Sequence, residues 1–432
     1  MNSENHQLPE RLDVLPSLSD GQSASKQEFR VLVFMEASSL TGPAKNLIGF
    51  ASLASNQQLN ARTAKLTIVT FQRNSSTKAN SFVQGCEEAG IEVHIIRERF
   101  AFDTNVISEM RRICAICKPD IIQTHSVKSH FLVGLSGLYR SSHWIAFHHG
   151  YTWTDLKMLL YNQLDRFSLR KADQVVTVCQ QFVRDLERKG VASGRIAVQH
   201  NSVGSFEPCA KENKDKLLQE FNIEDGATVV LSVGRLSREK GHIDLVRALG
   251  LLCHSNPKLQ VHVIIVGDGP ERSRLGRVAR KLVGDKIVFA GQRTDVAPFY
   301  SIAEIMVLPS HTEGSPNTLL EAMAAGIPTV ATAVGGVTEI VTADKTALLV
   351  EKGKPGELAN ALTLLLADKS LRTRIGQSAK AASLAYSAEN YCKSILSIYE
   401  RVCSTHNSGS RSGLHGNLHA GCCGAQYSGE RN

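Results

Sequence analysis

Short apolar runs alternate with longer segments whose apolar positions recur every three or four residues, and the alternation continues to about residue 403. In the first half, RVLVFME, LTIVTF, EVHII, DIIQTH, WIAFHH, QVVTV and RIAVQHNSV have strand character. Between them, NLIGFASLA, residues 104–117, HFLVGLSGL and QQFVRDLERKG carry the helical period, the last stopping at Gly190. In the second half, VVLSVG, VHVIIVG, KIVFAG, EIMVLPS, IPTVATA and TALLV are strands, with helices in the intervals. Strands that are apolar along most of their length are buried on both faces, as in parallel sheets covered by helices. Repeated β–α alternation therefore predicts an α/β protein.

The series breaks once. From Pro208 to about Gly226 the chain turns charged, with KENKDK, which reads as a junction or as the first helix of a second unit. The expected architecture is two doubly wound, Rossmann-like domains in series, residues 29–205 and 206–388, facing each other across a cleft. In such sheets ligands bind outside the carboxyl ends of the strands. Residues 1–28 are polar and aperiodic, which predicts a disordered arm. Residues 404–432 turn to Gly, Ser and His, which predicts a disordered tail.

The carboxyl ends of the predicted strands carry the candidate chemistry. After EIMVLPS comes EGSPNTLLEAMAAGIPTVAT, with Glu313 and Glu321 separated by seven residues. A Gly-Ser-Pro turn opening a helix presents unpaired backbone N–H groups and the positive end of the helix dipole, an anion site suited to a diphosphate. Asn317, Thr318 and Leu319 supply those amides. Glu313 precedes the helix and Glu321 lies more than a turn inside it, so one carboxylate meets the sugar end of a ligand and the other its ribose. The competing reading makes Glu313 a helix cap and Glu321 a surface charge. Glu321 sits among Leu320, Ala322 and Met323, where an unpaired carboxylate is costly.

VLSVGRLSREKGH places Arg235 and Lys240 after another strand end, positioned to neutralise a leaving diphosphate or simply to form a solvated basic loop. TGPAKNL, after the first strand, combines Gly42 for close backbone approach with Pro43 for a first helical turn. His125, His148, His149 and His200 cluster on strand ends of the first half, and only His149 is followed by glycine. That placement favours His149 for a hydrogen bond to a sugar hydroxyl or for proton handling.

Composition narrows these readings. No apolar run approaches the length of a membrane span, and the first twenty residues lack the pattern of a secretory signal, so a cytoplasmic protein is expected. Of the net charge of +8, the whole surplus is matched by the first domain, while the second carries an excess of only two. Such a surplus suits an anionic acceptor, peripheral contact at the inner face of a membrane, or an ordinary solvated surface. LKMLLYNQLDRFSLRK mixes apolar and basic residues and reads as an interfacial or a core-facing helix. Cys114 and Cys117 form one CxxC without a second pair at zinc spacing, and read as small buried residues on one helix face. His415, His419, Cys422 and Cys423 lie in the Gly/Ser-rich tail and make a weak metal motif. VGDGPERSRL opens like a dinucleotide fingerprint, but Arg272 holds the third glycine position, which argues against a nicotinamide cofactor. There is no Asp-x-Asp, so the common carboxylate clamp for a metal-bound sugar nucleotide is missing.

Taken together, GRLSREKG, VGDGP and EGSPNTLLEAMAAGIPTVATAVGGVTEIV resemble the C-terminal domain of the GT-B retaining glycosyltransferases of family 4. The resemblance covers about residues 30–403 and is stronger in the second half. It implies transfer of a sugar from a UDP- or GDP-sugar to a glycan, lipid-linked or polysaccharide acceptor, with retention and without bound metal or other cofactor. The family's E-x7-E element matches Glu313 and Glu321, and its phosphate-binding Arg and Lys match Arg235 and Lys240. Its histidine before glycine matches His149. Its Gly-Gly loop appears as Thr41-Gly42 and its Asn-Gly as Asn201-Ser202, two departures. It also implies that the last helix, about residues 389–403, crosses back onto the first domain. Two alternatives share the architecture: a sugar-nucleotide epimerase, which needs acid–base groups around the donor sugar and no acceptor, and a non-catalytic scaffold.

Overall fold

A computed structural model describes residues 28–56, 61–73, 80–100, 103–150, 167–223 and 226–405. Most of the N-terminal arm and C-terminal tail, and the greater part of LKMLLYNQLDRFSLRK, lie outside the described residues.

The first domain is a seven-stranded sheet built from β1 (Phe29–Phe34), β2 (Ala64–Arg73), β3 (Glu92–Glu98), β4 (Ile121–Thr124), β5 (His143–His148), β6 (Gln174–Thr177) and β7 (Ile196–Val198). Its order is β3-β2-β1-β4-β5-β6-β7, and its strand pairs are parallel. Helices α1 (Gly42–Ala54), α2 (Ser81–Glu88), α3 (Asn105–Cys117), α4 (Val127–Ser136) and α5 (Gln180–Arg188) cover it. The second domain opens with α6 (Lys211–Glu220), so the charged KENKDK stretch is a helix, and its Leu217 packs into that domain's core.

Its six-stranded sheet contains β8 (Thr228–Val233), β9 (Val261–Val266), β10 (Ile287–Gly291), β11 (Ile305–Leu308), β12 (Thr329–Thr332) and β13 (Leu348–Val350), in the order β10-β9-β8-β11-β12-β13. Helices α7 (His242–Ser255), α8 (Arg272–Val283), α9 (Ala297–Ile302), α10 (Asn317–Ala324), α11 (Val337–Ile340), α12 (Pro355–Ala367) and α13 (Lys369–Ser383) complete it.

Each sheet reverses its winding direction once, at β1/β4 in the first domain and at β8/β11 in the second. A crevice opens at the carboxyl ends of the strands at such a reversal, because the flanking loops leave on opposite faces. The burial of IMVL throughout, and of FRVLVF at every position but Arg30, follows from helices covering both faces.

The last helix, α14 (Ala388–Ser404), starts at Ser387, whose side chain accepts from the Asn390 amide. Tyr391, Cys392, Ile395, Leu396, Ile398, Tyr399 and Val402 are buried in the first domain's core, against Phe29, Phe50 and Ile121. Phe50 meets Tyr391 and Tyr399 edge-on, with ring centroids 6.2 and 5.9 Å away. Each such side chain contributes about 1.5–3 kcal/mol by burial, so α14 straps the two domains together. Cys114 is buried and Cys117 half-buried, both free thiols. Burial pushes the pKa of both upward, that of Cys114 to about 11.

Candidate active site

The loop after β8 runs through Arg235 to a short turn over Arg238–Lys240 and ends at Gly241, which has φ +63°. A Cβ at Gly241 would lie 1.9 Å from the Pro309 carbonyl oxygen, so only glycine lets this loop lie against the loop after β11. The VGDGP segment explains its glycines in the same way. Cβ atoms at Gly267 and Gly269 would fall 2.0 and 2.4 Å from the carbonyl oxygens of Gly234 and Leu236. These glycines pack one loop against another.

This close approach brings Lys240 to Glu313. The Lys240 ammonium donates to Glu313 Oε1 at 2.7 Å, and the Ser310 hydroxyl donates to the same oxygen at 2.6 Å. Glu313 is only 7% exposed, and a carboxylate so placed needs such partners. Arg235 is exposed, and its charge together with that of Lys240 bears on Glu239, which also accepts from Ser237 Oγ. Three residues after Glu313, Pro316 caps α10, and no side chain caps the helix start. The first-turn amides of Asn317 and Thr318 therefore have no intrahelical acceptor. The Leu319 amide, expected among them, instead donates to the Pro316 carbonyl at 3.1 Å, and its side chain is fully buried. Inside α10, Glu321 Oε2 accepts from the buried Tyr300 hydroxyl at 2.7 Å. Burial, with Glu321 beside it, pushes the Tyr300 phenol well above its usual pKa.

The first domain closes over this helix start. Asn317 Oδ1 accepts from Asn201 Nδ2 at 2.7 Å, and Asn201 Nδ2 also donates to the Ser315 carbonyl at 2.7 Å. Asn46 Oδ1 accepts from both the amide and hydroxyl of Ser202, at 3.0 and 2.8 Å. A Cβ at Gly42 would lie 3.1 Å from Asn317 Nδ2, so the first domain's glycine turn sits beside the start of α10. Thr41, in place of a glycine, has φ −73°, a backbone conformation that costs threonine nothing. Ser202, in place of the second expected glycine, donates its hydroxyl to Asn46 within the first domain, and Asn46 Nδ2 in turn lies 3.4 Å from Asn317 Oδ1.

His149 follows β5. Its Nε2 lies 3.2 Å from His125 Nδ1, and its own Nδ1 has no partner among the described residues. Burial, with His130 nearby, pushes its pKa down to about 4, so the ring is neutral at neutral pH. The next residue, Gly150, and Gly314, which follows Glu313, both abut the Phe182 ring: added Cβ atoms would lie 2.5 and 2.9 Å from it. The loops bearing His149 and Glu313 thus meet on one aromatic ring. His148 is buried edge-on to Phe182, and His200 lies 3.5 Å from Glu339 at the domain contact. Among the described residues, no group of three or more His, Cys, Asp or Glu side chains is placed to hold a metal ion, and no helix is long and apolar enough to cross a membrane.

Two family models match the chain in tandem, Glycosyltransferase Family 4 over residues 56–204 and Glycosyl transferases group 1 over residues 213–382. The chain belongs to the family 4 (group 1) glycosyltransferases. Its relatives include N-acetyl-alpha-D-glucosaminyl L-malate synthase from Bacillus anthracis, 26% identical over 51% of this chain and 57% of that protein. D-inositol 3-phosphate glycosyltransferase from Corynebacterium jeikeium is 30% identical over 56% of this chain and 60% of that protein. The chain thus spans about three fifths of the length of these curated relatives. The fold is that of solved GT-B proteins. Anabaena HepE, solved in complex with UDP and glucose, superimposes with TM-score 0.74 at 19% identity, covering 86% of this chain and 100% of that one. Sucrose-phosphate synthase from Thermosynechococcus elongatus gives TM-score 0.69 at 20% identity, covering 87% of this chain and 100% of that one.

In this family 4 member, the fold brings Lys240, Glu313, Asn317, Thr318 and Gly42 to one cleft, with Arg235 on the loop that carries Lys240. Sequence reasoning missed Ser310 and Tyr300, the partners of the two glutamates. It also missed Asn46 and the structural use of Asn201. The serine was visible at the end of EIMVLPS, but its partner depends on how the loop folds back.

Proposed function

We propose that the chain transfers a sugar from a nucleoside-diphosphate sugar to an acceptor hydroxyl, with retention of configuration. The observation that carries this reading is the Lys240–Glu313–Ser310 cluster beside the uncapped start of α10. A diphosphate at that start accepts from the Asn317 and Thr318 amides, and Arg235 and Lys240 offset its charge. Glu321, held at Oε2 by Tyr300, keeps its second oxygen for the ribose hydroxyls. Glu313, engaged at Oε1, keeps Oε2 for the donor sugar's hydroxyls, and His149 meets the same sugar.

The bond between the anomeric carbon and the diphosphate oxygen breaks, and its electron pair leaves with the diphosphate. The acceptor hydroxyl adds on the same face and gives its proton to that departing oxygen. Arg235 and Lys240 stabilise the charge as it grows, and Glu313 holds the ring rather than attacking it. A uridine nucleotide sugar is the first donor to test, because the similar HepE was solved with UDP and glucose. The acceptor class is a glycan, lipid-linked or polysaccharide hydroxyl, and the positive first domain suits an anionic acceptor at the cytoplasmic face of a membrane.

The test is a donor screen on purified protein, reading sugar release and transfer by mass spectrometry with a membrane extract as acceptor source. Turnover of at least one nucleotide sugar, lost in Glu313→Ala, supports the assignment. Interconversion of the donor sugar without any acceptor would instead make the protein an epimerase.

A further inference from the structure

A line of buried polar groups runs from the terminal helix to His149. The Tyr399 hydroxyl on α14 donates to Gln123 Oε1 on β4. Gln123 Nε2 lies 2.6 Å from His125 Nε2, and His125 Nδ1 lies 3.2 Å from His149 Nε2. Tyr399 is fully buried, Gln123 is 1% exposed and His125 is 8% exposed.

Hydrogen-bond chemistry gives this line a direction. The Tyr399 proton is buried, and leaving it unpaired is costly, so it must go to the Gln123 carbonyl oxygen. That fixes the amide orientation and turns the Gln123 NH2 group toward His125. His125 Nε2 must then accept, which leaves the proton of the neutral ring on Nδ1. His125 Nδ1–H donates to His149 Nε2, which in turn carries no proton. The proton of His149 therefore sits on Nδ1, the atom that has no protein partner among the described residues.

We propose that Tyr399 is a positioning residue that, through Gln123 and His125, sets His149 in the Nδ1–H tautomer, so that the ring's one proton lies on a buried atom that no protein group among the described residues engages. The relay reaches the site from the C-terminal helix, and its first hydrogen bond joins residues 276 apart in sequence. Its relevance to catalysis rests on the reading of His149 as a donor-sugar contact. The tautomer itself does not depend on that reading.

Removing the Tyr399 hydroxyl frees the amide to turn over. Gln123 Oε1 then accepts from His125 Nε2–H, His125 Nδ1 becomes an acceptor, and His149 Nε2–H donates to it. His149 Nδ1 loses its proton and becomes an acceptor.

The test uses full-length protein labelled in histidine nitrogens and two-bond proton–nitrogen NMR, with His149 assigned by its loss in His149→Asn. In the unmodified protein, His149 Nδ1 should show the protonated, pyrrole-type signal. In Tyr399→Phe that signal should move toward the pyridine type, and kcat/KM on the donor identified by the screen should fall about tenfold, as for one lost hydrogen bond. Asparagine at position 149 places an amide N–H where Nδ1–H stood and has no tautomers. Adding Tyr399→Phe to His149→Asn should therefore cost nothing further. An Nε2–H tautomer in the unmodified protein, or an unchanged tautomer in Tyr399→Phe, overturns the proposal. So does a Tyr399→Phe loss of equal size in both backgrounds, which would mark a merely structural role. If no nucleotide sugar is turned over, the functional reading falls, and the NMR result still decides the relay.

Discussion

Glu313 is held at one oxygen by an ammonium and a hydroxyl; the Lys240 bond depends on the meeting of two loops at the β8/β11 reversal, the Ser310 bond on the fold of the loop after β11 itself. Lys240→Ala and Glu313→Ala should each lower kcat/KM by about tenfold to a thousandfold, the range seen when a transition-state contact is removed. Steady-state kinetics on the two purified variants checks this, and unchanged turnover in both contradicts the site. His242 makes a separate prediction about pH. It is 2% exposed, and burial, with Lys240 nearby, lowers its pKa to about 4. The unfolded chain takes up this proton below about pH 6.5, the folded protein only below about pH 4. Its contribution is thus complete above pH 6.5 and is lost as the pH falls toward 4, by up to about 3 kcal/mol. His149 and His125, whose pKa values are also lowered, act with the same sign. Tm measured from pH 7 to pH 4.5 should fall, and His242→Gln should flatten part of that fall; a pH-independent difference between the two proteins would contradict the assignment. At this scale the sequence exposed what is local. Arg235, Lys240 and Glu313 sit in motifs that follow strand ends and Glu321 in the helix after one, whereas the pairing of Tyr300 with Glu321 depends on how separate segments approach and that of Ser310 with Glu313 on how one loop folds back.

The elements that join the domains are held by few groups. Helix α5 begins at Cys179, whose side chain makes no capping hydrogen bond. Glu339 of the second domain supplies the cap instead, accepting the Gln180 amide at 2.9 and 3.1 Å. Glu339→Ala should cost about 1–2 kcal/mol, the usual loss for a helix cap, read by denaturant unfolding. Cys179→Ser, which adds a capping hydroxyl from within the first domain, should recover part of it. No change in the midpoint for Glu339→Ala would show that the cap carries no energy. The strap α14 is held differently, by apolar burial. Ile395 is fully buried against the first domain, and Ile395→Ala should cost about 2–5 kcal/mol. A loss below about 1 kcal/mol in the same unfolding assay would mean that the strap is loosely packed. Most strands could be read from the sequence because parallel strands buried on both faces are nearly continuous apolar runs. Helix α6 was ambiguous because a charged surface helix with one buried leucine, Leu217, carries little periodic signal.

At the scale of the whole molecule, two sheets face each other with their reversal points toward one cleft, and Asn46 and Asn201 on one side meet Ser315 and Asn317 on the other. The two-sheet plan follows from β–α alternation interrupted once. The interdomain contacts do not, since Asn201 and Asn317, or Gln123 and Tyr399, are brought together only by the topology and by the return of α14. The central claim is that this cleft grips a nucleoside diphosphate through a basic loop and a helix start. Calorimetric titration of UDP and of GDP into the full-length protein tests it most directly. The account predicts saturable heat with at least one of the two, and an affinity at least about tenfold weaker in Lys240→Ala, the loss of one charge-assisted contact. No heat with either nucleotide, or equal affinity in the variant, would contradict it.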